Sequence, residues 1–206
     1  MLPGVIAHVP LYVAEPPAII RQHQRPKFVF GEVTIEADVA TFDIELERHD
    51  FNGDVVASYG PTKLRAKTAV LDLRSGLATF DQGVRIEDDY GRATADSVVI
   101  TLREIPNPDG AEPKFVVERV VGSKIDLEAL GGRFLASSMD IKPDEYVLHD
   151  VRATACDRET PDYQFRFTRL SVKPGDRATW KRGELRLGRG FVLPFPDFYA
   201  SLAPRQ

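Results

Sequence analysis

The side chains able to do chemistry are few and scattered. The chain holds four histidines, His8, His23, His49 and His149, and one cysteine, Cys156. No two histidines stand at a ligand spacing such as H-x-x-x-H, so neither a metal nor any cofactor is expected. A single cysteine permits no internal disulfide; a buried free thiol and a bond to a separate segment both stay open. Asp88 and Asp89 precede Gly91, where short carboxylates favour a turn over an acid/base dyad. There is no G-x-S-x-G, phosphate loop or dinucleotide fingerprint, so no catalytic residue is named and no enzyme is expected. Charge does concentrate in one place. Residues 163–190 carry Arg166, Arg169, Lys173, Arg177, Lys181, Arg182, Arg186 and Arg189 against Asp176 and Glu184. Such a patch suits phosphates of a lipid head group or an anionic membrane surface. It equally suits the solvated face of a strand kept soluble by charge.

The bulk properties narrow the classes. With 206 residues, 43% apolar and 28% charged, the chain can bury a sizeable core. A formal net charge of -4 argues against nucleic acid as a partner. No apolar run approaches the roughly 20 residues of a membrane-spanning helix. The first twenty residues lack a basic n-region and carry Pro3, Pro10, Pro16 and Pro17, which does not make a signal peptide.

Period-2 alternation dominates, with Val, Ile, Thr, Phe and Tyr crowding the alternating stretches. Five segments align without gaps: 33–45, 63–74, 91–103, 132–143 and 163–174. Ala37 recurs as Ala66, Ala95 and Ala136, with Phe167 in the last copy. In each copy the apolar parity changes once, as in Val33, Ile35, Ala37, Val39 followed by Ala40, Phe42, Ile44. A one-residue slip flips every later side chain to the other face of a strand. A slip repeated at one register is a corner where the strand bends and keeps its apolar side inward. The expected fold is all-β: a folded-over antiparallel sheet to which each repeat adds a rung. The segments 55–60, 83–91, 114–127 and 146–156 supply return strands. Turns are expected at Asn52-Gly53, Ser75-Gly76, Pro106–Gly110, Gly131-Gly132 and Pro174-Gly175. Residues 1–28 are expected to form an extended arm, 29–200 the domain and 201–206 a tail.

The inward residues Val39, Phe42, Leu71, Val98, Ile100, Met139, Ile141, Phe165 and Phe167 would line a groove if the walls stand apart. They are plain core if the walls close into a sandwich. Small residues at the recurring alanine position favour space. Trp180 suits an anchor for the last strand pair.

The repeat in 64–100, LRAKTAVLDLRSGLATFDQGVRIEDDYGRATADSVVI, is similar to the OstA repeat of lipopolysaccharide-transport proteins. Residues 149–199 resemble the end of the periplasmic part of the LptD/OstA family. Thr154-Ala155-Cys156, Pro161 and Leu193-Pro194-Phe195-Pro196 match its Thr-x-Cys, its proline and its proline-rich exit segment. The resemblance covers residues 30–200. It implies a β-jellyroll, or β-taco, whose groove carries acyl chains of lipopolysaccharide or a similar lipid. It also implies edge-strand pairing with other Lpt-type β-jellyroll proteins, and a periplasmic, outer-membrane-associated location. The family's barrel has no counterpart before Gln206, and its inter-domain disulfide finds no second cysteine here. An interaction module that pairs edges without lipid is the alternative.

Overall fold

The computed structural model describes residues 20–22, 25–30, 32–89, 91–106, 114–129, 131–158, 160–188 and 190–202. These form fifteen strands and no helix. Four short strands come first: β1 (Ile20–Gln22), β2 (Lys27–Phe30), β3 (Val33–Glu36) and β4 (Val39–Asp43). Then come β5 (Arg48–Tyr59), β6 (Thr62–Asp72), β7 (Leu77–Asp88), β8 (Gly91–Ile105) and β9 (Lys114–Ala129). They are followed by β10 (Gly132–Lys142), β11 (Glu145–Thr154), β12 (Tyr163–Lys173) and β13 (Arg177–Leu187). The last two are short, β14 (Phe191–Phe195) and β15 (Phe198–Ser201). Of the expected arm, residues 1–19, 23 and 24 lie outside the described residues, whereas β1 and the first two residues of β2 pair into the sheet. Most of the tail, 203–206, also lies outside them, as do 107–110 of the expected turn.

One antiparallel sheet runs β1-β4-β5 and then in chain order to β14. The short strands act in couples. β3 and β4 lie along the two halves of β5, and β14 and β15 along the two halves of β13. β1 and β2 repeat the arrangement on β4 and β3. Each couple and each long strand is one rung, bent once at mid-length. Stacked rungs give two walls that meet at a crease. The first wall holds β2, β3, β14 and the matching strand halves; the second holds β1, β4, β15 and the other halves.

The bend explains the parity change. Ala37/Ala40, Ala66/Ala69, Ala95/Val98, Ala136/Met139 and Phe167/Leu170 are all buried although each pair is three positions apart. In a flat strand such residues point to opposite faces. The return strands turn on left-handed residues: Asp54 (φ 35°) after Gly53, Gln82 (67°) before Gly83, Lys124 (49°), Asp150 (50°) and Arg182 (49°). Left-handed backbone costs an L-residue about 1–2 kcal/mol. Polar contacts across neighbouring rungs offset that. The Ser137 hydroxyl donates to the Asp150 carboxylate at 2.9 Å, and Lys124 meets Asp96 at 2.5 Å. The Arg182 N–H donates to the Asp197 carboxylate at 2.7 Å. Asn52-Gly53, expected as a turn, is this corner inside β5, where the register with β6 slips between Asn52 and Val55. The same backbone demand, φ above zero, serves a hairpin turn and a bulge alike.

The recurring alanine marks where the walls touch, not where space opens. Ala66 faces Val55, Ala95 faces Val84 and Ala136 faces Ile125 across the sheet, all of them buried in the crease. In β12 the large Phe167 takes the alanine's place, and Gly183 faces it on β13. A Cβ added to Gly183 would stand 2.0 Å from the Phe195 ring, so volume is exchanged between strands at constant packing.

Candidate functional site

Two apolar rows cross all rungs beyond the crease. On the first wall the register links Phe28, Ile35, Ala57, Leu64, Ile86 and Ala93. The row goes on through Leu127, Phe134, Ala153, Phe165, Leu185 and Leu193. On the second wall it links Phe42, His49, Leu71, Ala78, Ile100 and Val120. That row ends in Ile141, Tyr146, Val172 and Ala178. Directly paired residues share a face, so each row is continuous.

The rows are shut at one end and open at the other. In the N-terminal rungs aromatic rings reach from wall to wall. Phe28 meets His49 at 5.1 Å and Phe51 at 5.3 Å, edge to face, and Phe30 meets His49 at 5.6 Å. Phe42 stacks on His49 at 4.3 Å. The largest fully buried side chains are Phe51, Phe80, Ile35, Leu71, Val55, Val84, Val98 and Val151, all but the last before residue 99. In the C-terminal rungs the ring contacts between the walls, among the described residues, lie at the crease: Phe167 with Trp180 at 6.3 Å and Phe195 with Phe198 at 5.5 Å. Trp180 stacks on Phe198 at 4.6 Å, joining β13 to β15. Beyond the crease, inward residues are uncovered there: Phe165 is 37% exposed, Tyr146 41% and Leu193 50%.

His49 is buried, and its Nδ1 has no hydrogen-bond partner. Burial holds its protonation below the ordinary histidine range, and the neighbouring Asp50 opposes that. Elsewhere charge stays outside. Arg133 grips Asp126 at 2.6 Å and Arg119 grips Asp140 at 2.8 Å, and each arginine holds its partner's carboxyl below the usual carboxylate range.

The nine expected groove residues divide by position. Leu71, Val98, Met139 and Phe167 are buried where the walls meet or close. Phe42, Ile100 and Ile141 are half-buried, and Phe165 is exposed in the open part. Val39 is corrected: it is 37% exposed, and Ala40 is the inward residue. Val39 pairs with Asn52 in a ladder that continues through Thr68, Asp81 and Ser97, the outer side of the corner. The six residues of the expected head-group or membrane basic patch share one orientation. Arg166, Arg169, Lys173, Lys181, Arg182 and Arg186 alternate with, or turn the corner beside, the inward Phe165, Phe167, Leu170, Val172, Trp180 and Leu185. They stand on the outer faces of the walls. Arg177 shares that face, and Arg189 lies outside the described residues.

These placements leave an open, apolar, folded-over sheet with charge on its outside. No family model matches the chain. The LPS-assembly protein LptD of Idiomarina loihiensis (strain ATCC BAA-735 / DSM 15497 / L2-TR) is 26% identical over 166 residues, 80% of this chain and 20% of that protein. The chain is LptD/OstA-like. It spans about a fifth of the length of that LptD protein. A solved structure, LptH of Pseudomonas aeruginosa, is described as the LptA-homologous periplasmic component of the conserved lipopolysaccharide transport device. It is 13% identical, covering 69% of this chain and 76% of its own, at a TM-score of 0.25, too low to bear on the fold.

Several residues of the site had no signal in single-strand periodicity. Phe28 sits in the stretch expected to be an arm, Phe30 stands just beyond it, and His49 stands alone in sequence. Leu127, Phe134 and Leu148 follow once the register is known. Cys156 is half-buried, its N–H donating to Thr154 Oγ1 at 3.1 Å, and it lines a cleft of about 1050 Å³ outside the first wall.

Proposed function

We propose that the chain is a non-catalytic lipid-binding domain that holds acyl chains of lipopolysaccharide or a similar lipid between its walls, in the service of outer-membrane assembly. The observation that carries this reading is the exposure of Phe165, Tyr146 and Leu193 in the two apolar rows toward the C-terminal rungs, after Ile35, Ala57, Leu64, His49, Leu71 and Ala78 are buried over β3–β7. Burial of each acyl methylene contributes about 0.8 kcal/mol, so a dozen suffice for affinity without a polar anchor. The likeness to LptD supports a periplasmic setting at the outer membrane, with Lpt-type β-jellyroll proteins adding rungs at the edges of the sheet.

Native mass spectrometry of the desalted protein, before and after addition of lipopolysaccharide, tests it. A bound mass is expected that is lost in Ile141→Asp and Phe165→Asp and kept in Ile44→Asp, with the fold of each variant checked by circular dichroism. Absence of lipid in both states of the unaltered protein contradicts the reading.

A second reading has its own observation. The last rung exposes Phe191, Val192, Leu193, Phe198 and Tyr199, which suits a module that works by edge pairing alone. That reading predicts partner contacts at β14 and β15 and no lipid uptake.

A further inference from the structure

On the outside of the first wall, the arginines of β8 and β10 are each matched with a carboxylate on β9. Arg92 has Glu128 at 2.6 Å and Arg133 has Asp126 at 2.6 Å. Over β11–β13 the matching fails. Arg152 stands directly opposite Arg166 across the β11–β12 pair. Arg166 stands opposite Glu184, and Arg186 stands opposite Gln164. Glu184 is the one carboxylate among these five side chains, and Arg186 takes it at 2.6 Å. Arg166 reaches it only at 3.9 Å, its Nε donating instead to Gln164 Oε1 at 3.0 Å. Arg152 makes no ion pair or hydrogen bond among the described residues.

Like charges directly opposite in a sheet are destabilising, and half-burial sharpens that. Arg166 is half-buried, and burial, Arg186 and Arg152 together depress its protonation, with only Glu184 opposing. The other opposed arginines of this wall, Arg65 and Arg85, are both exposed, and Arg65 has Asp54 at 3.9 Å. Arg152, Arg166 and Arg182 line a cleft of about 570 Å³, with Asp150 and Glu184 also in its lining. Guanidinium forks in such a cluster match the oxygens of a phosphate group, which would neutralise them.

We infer that Arg152, Arg166 and Arg186 form a phosphate-binding site on the outer face of the first wall, on the opposite side of the sheet from the apolar rows. The site takes a phosphomonoester or diphosphate, free or carried on a lipid head group. It is independent of the lipid-binding reading, because no inward residue takes part in holding the anion.

The test is titration of the full chain with inorganic pyrophosphate, followed by the NMR shifts of the arginine Nε–H groups and by calorimetry. The expected result is selective movement of the Arg166 and Arg186 resonances. Affinity should fall at least about tenfold in Arg152→Gln, and remain in the control Arg85→Gln. Arg152 is exposed, so that variant keeps the test valid even if Arg166→Gln fails to fold. Flotation with phosphatidic acid vesicles against phosphatidylcholine vesicles then separates a lipid-borne phosphate from a free one. No binding at roughly 10 mM pyrophosphate, or equal losses in Arg152→Gln and Arg85→Gln, overturns the inference.

Discussion

Phe28 and Phe165 occupy the same inner row of the first wall, at opposite ends of the sheet. The ring of Phe28 touches His49 and Phe51 on the facing wall, at 5.1 and 5.3 Å. The ring contacts of Phe165, among the described residues, stay on its own wall: Tyr163 at 6.1 Å, Phe167 at 6.3 Å and Phe195 at 6.2 Å. Sequence pattern is equal at the two ends, since both rows are apolar. What differs is how far from the crease the walls stay in contact. Where contact extends beyond the crease the interior is a packed core, and where it stops there an apolar surface is left for something else to cover.

That contrast can be broken most strongly at Phe51, which is fully buried. Phe51→Ala should cost about 3–5 kcal/mol, whereas Tyr146→Ala in the open part should cost no more than about 1 kcal/mol. Urea unfolding of the two variants reads the difference, and equal losses would erase the distinction. Gly183→Ala comes next. Its new Cβ meets Phe195, and a loss of about 1–3 kcal/mol is expected, with the disturbance confined to β13–β15 in hydrogen exchange.

His49 makes the comparison depend on pH. Its protonation is held down in the folded state, so the unfolded chain binds the proton more readily. Stability contributed by neutral His49 is present above its ordinary value of 6.5 and is lost as pH falls below that, levelling off beneath the folded-state value. Thermal unfolding from pH 7.5 down to 5 should show the loss in the unaltered protein and not in His49→Leu. A slope that survives the substitution would remove His49 from the account. The smallest effect is at the corner. Gln82→Gly relieves a left-handed backbone and should raise stability by up to about 1 kcal/mol.

Much of this was legible in the sequence, for identifiable reasons. The parity change beside Ala37, Ala66, Ala95, Ala136 and Phe167 is local, and it specified the bend and the folded-over sheet. The exact step at which each strand turned was not. Val39 is apolar in a column otherwise filled by Asn52, Thr68, Asp81 and Ser97, and one strand alone cannot show that. Alternation put Arg166 and Arg186 on the face opposite Phe165, and the register keeps them there. The closure of the N-terminal rungs rests on pairs such as Phe28 and Phe51, distant in the chain and on different walls, and periodicity holds no information about such pairs. The mismatch at Arg152 becomes visible only when β11 is laid against β12.

The most direct test of the open interior is photo-crosslinking from two positions in the same row of the second wall, Ile141 and Phe42. With a benzophenone side chain at each position and lipopolysaccharide present, capture is predicted from position 141 in β10 and not from position 42 in β4. Capture from neither, or equally from both, would contradict the account of a sheet closed at its first rungs and open at its last.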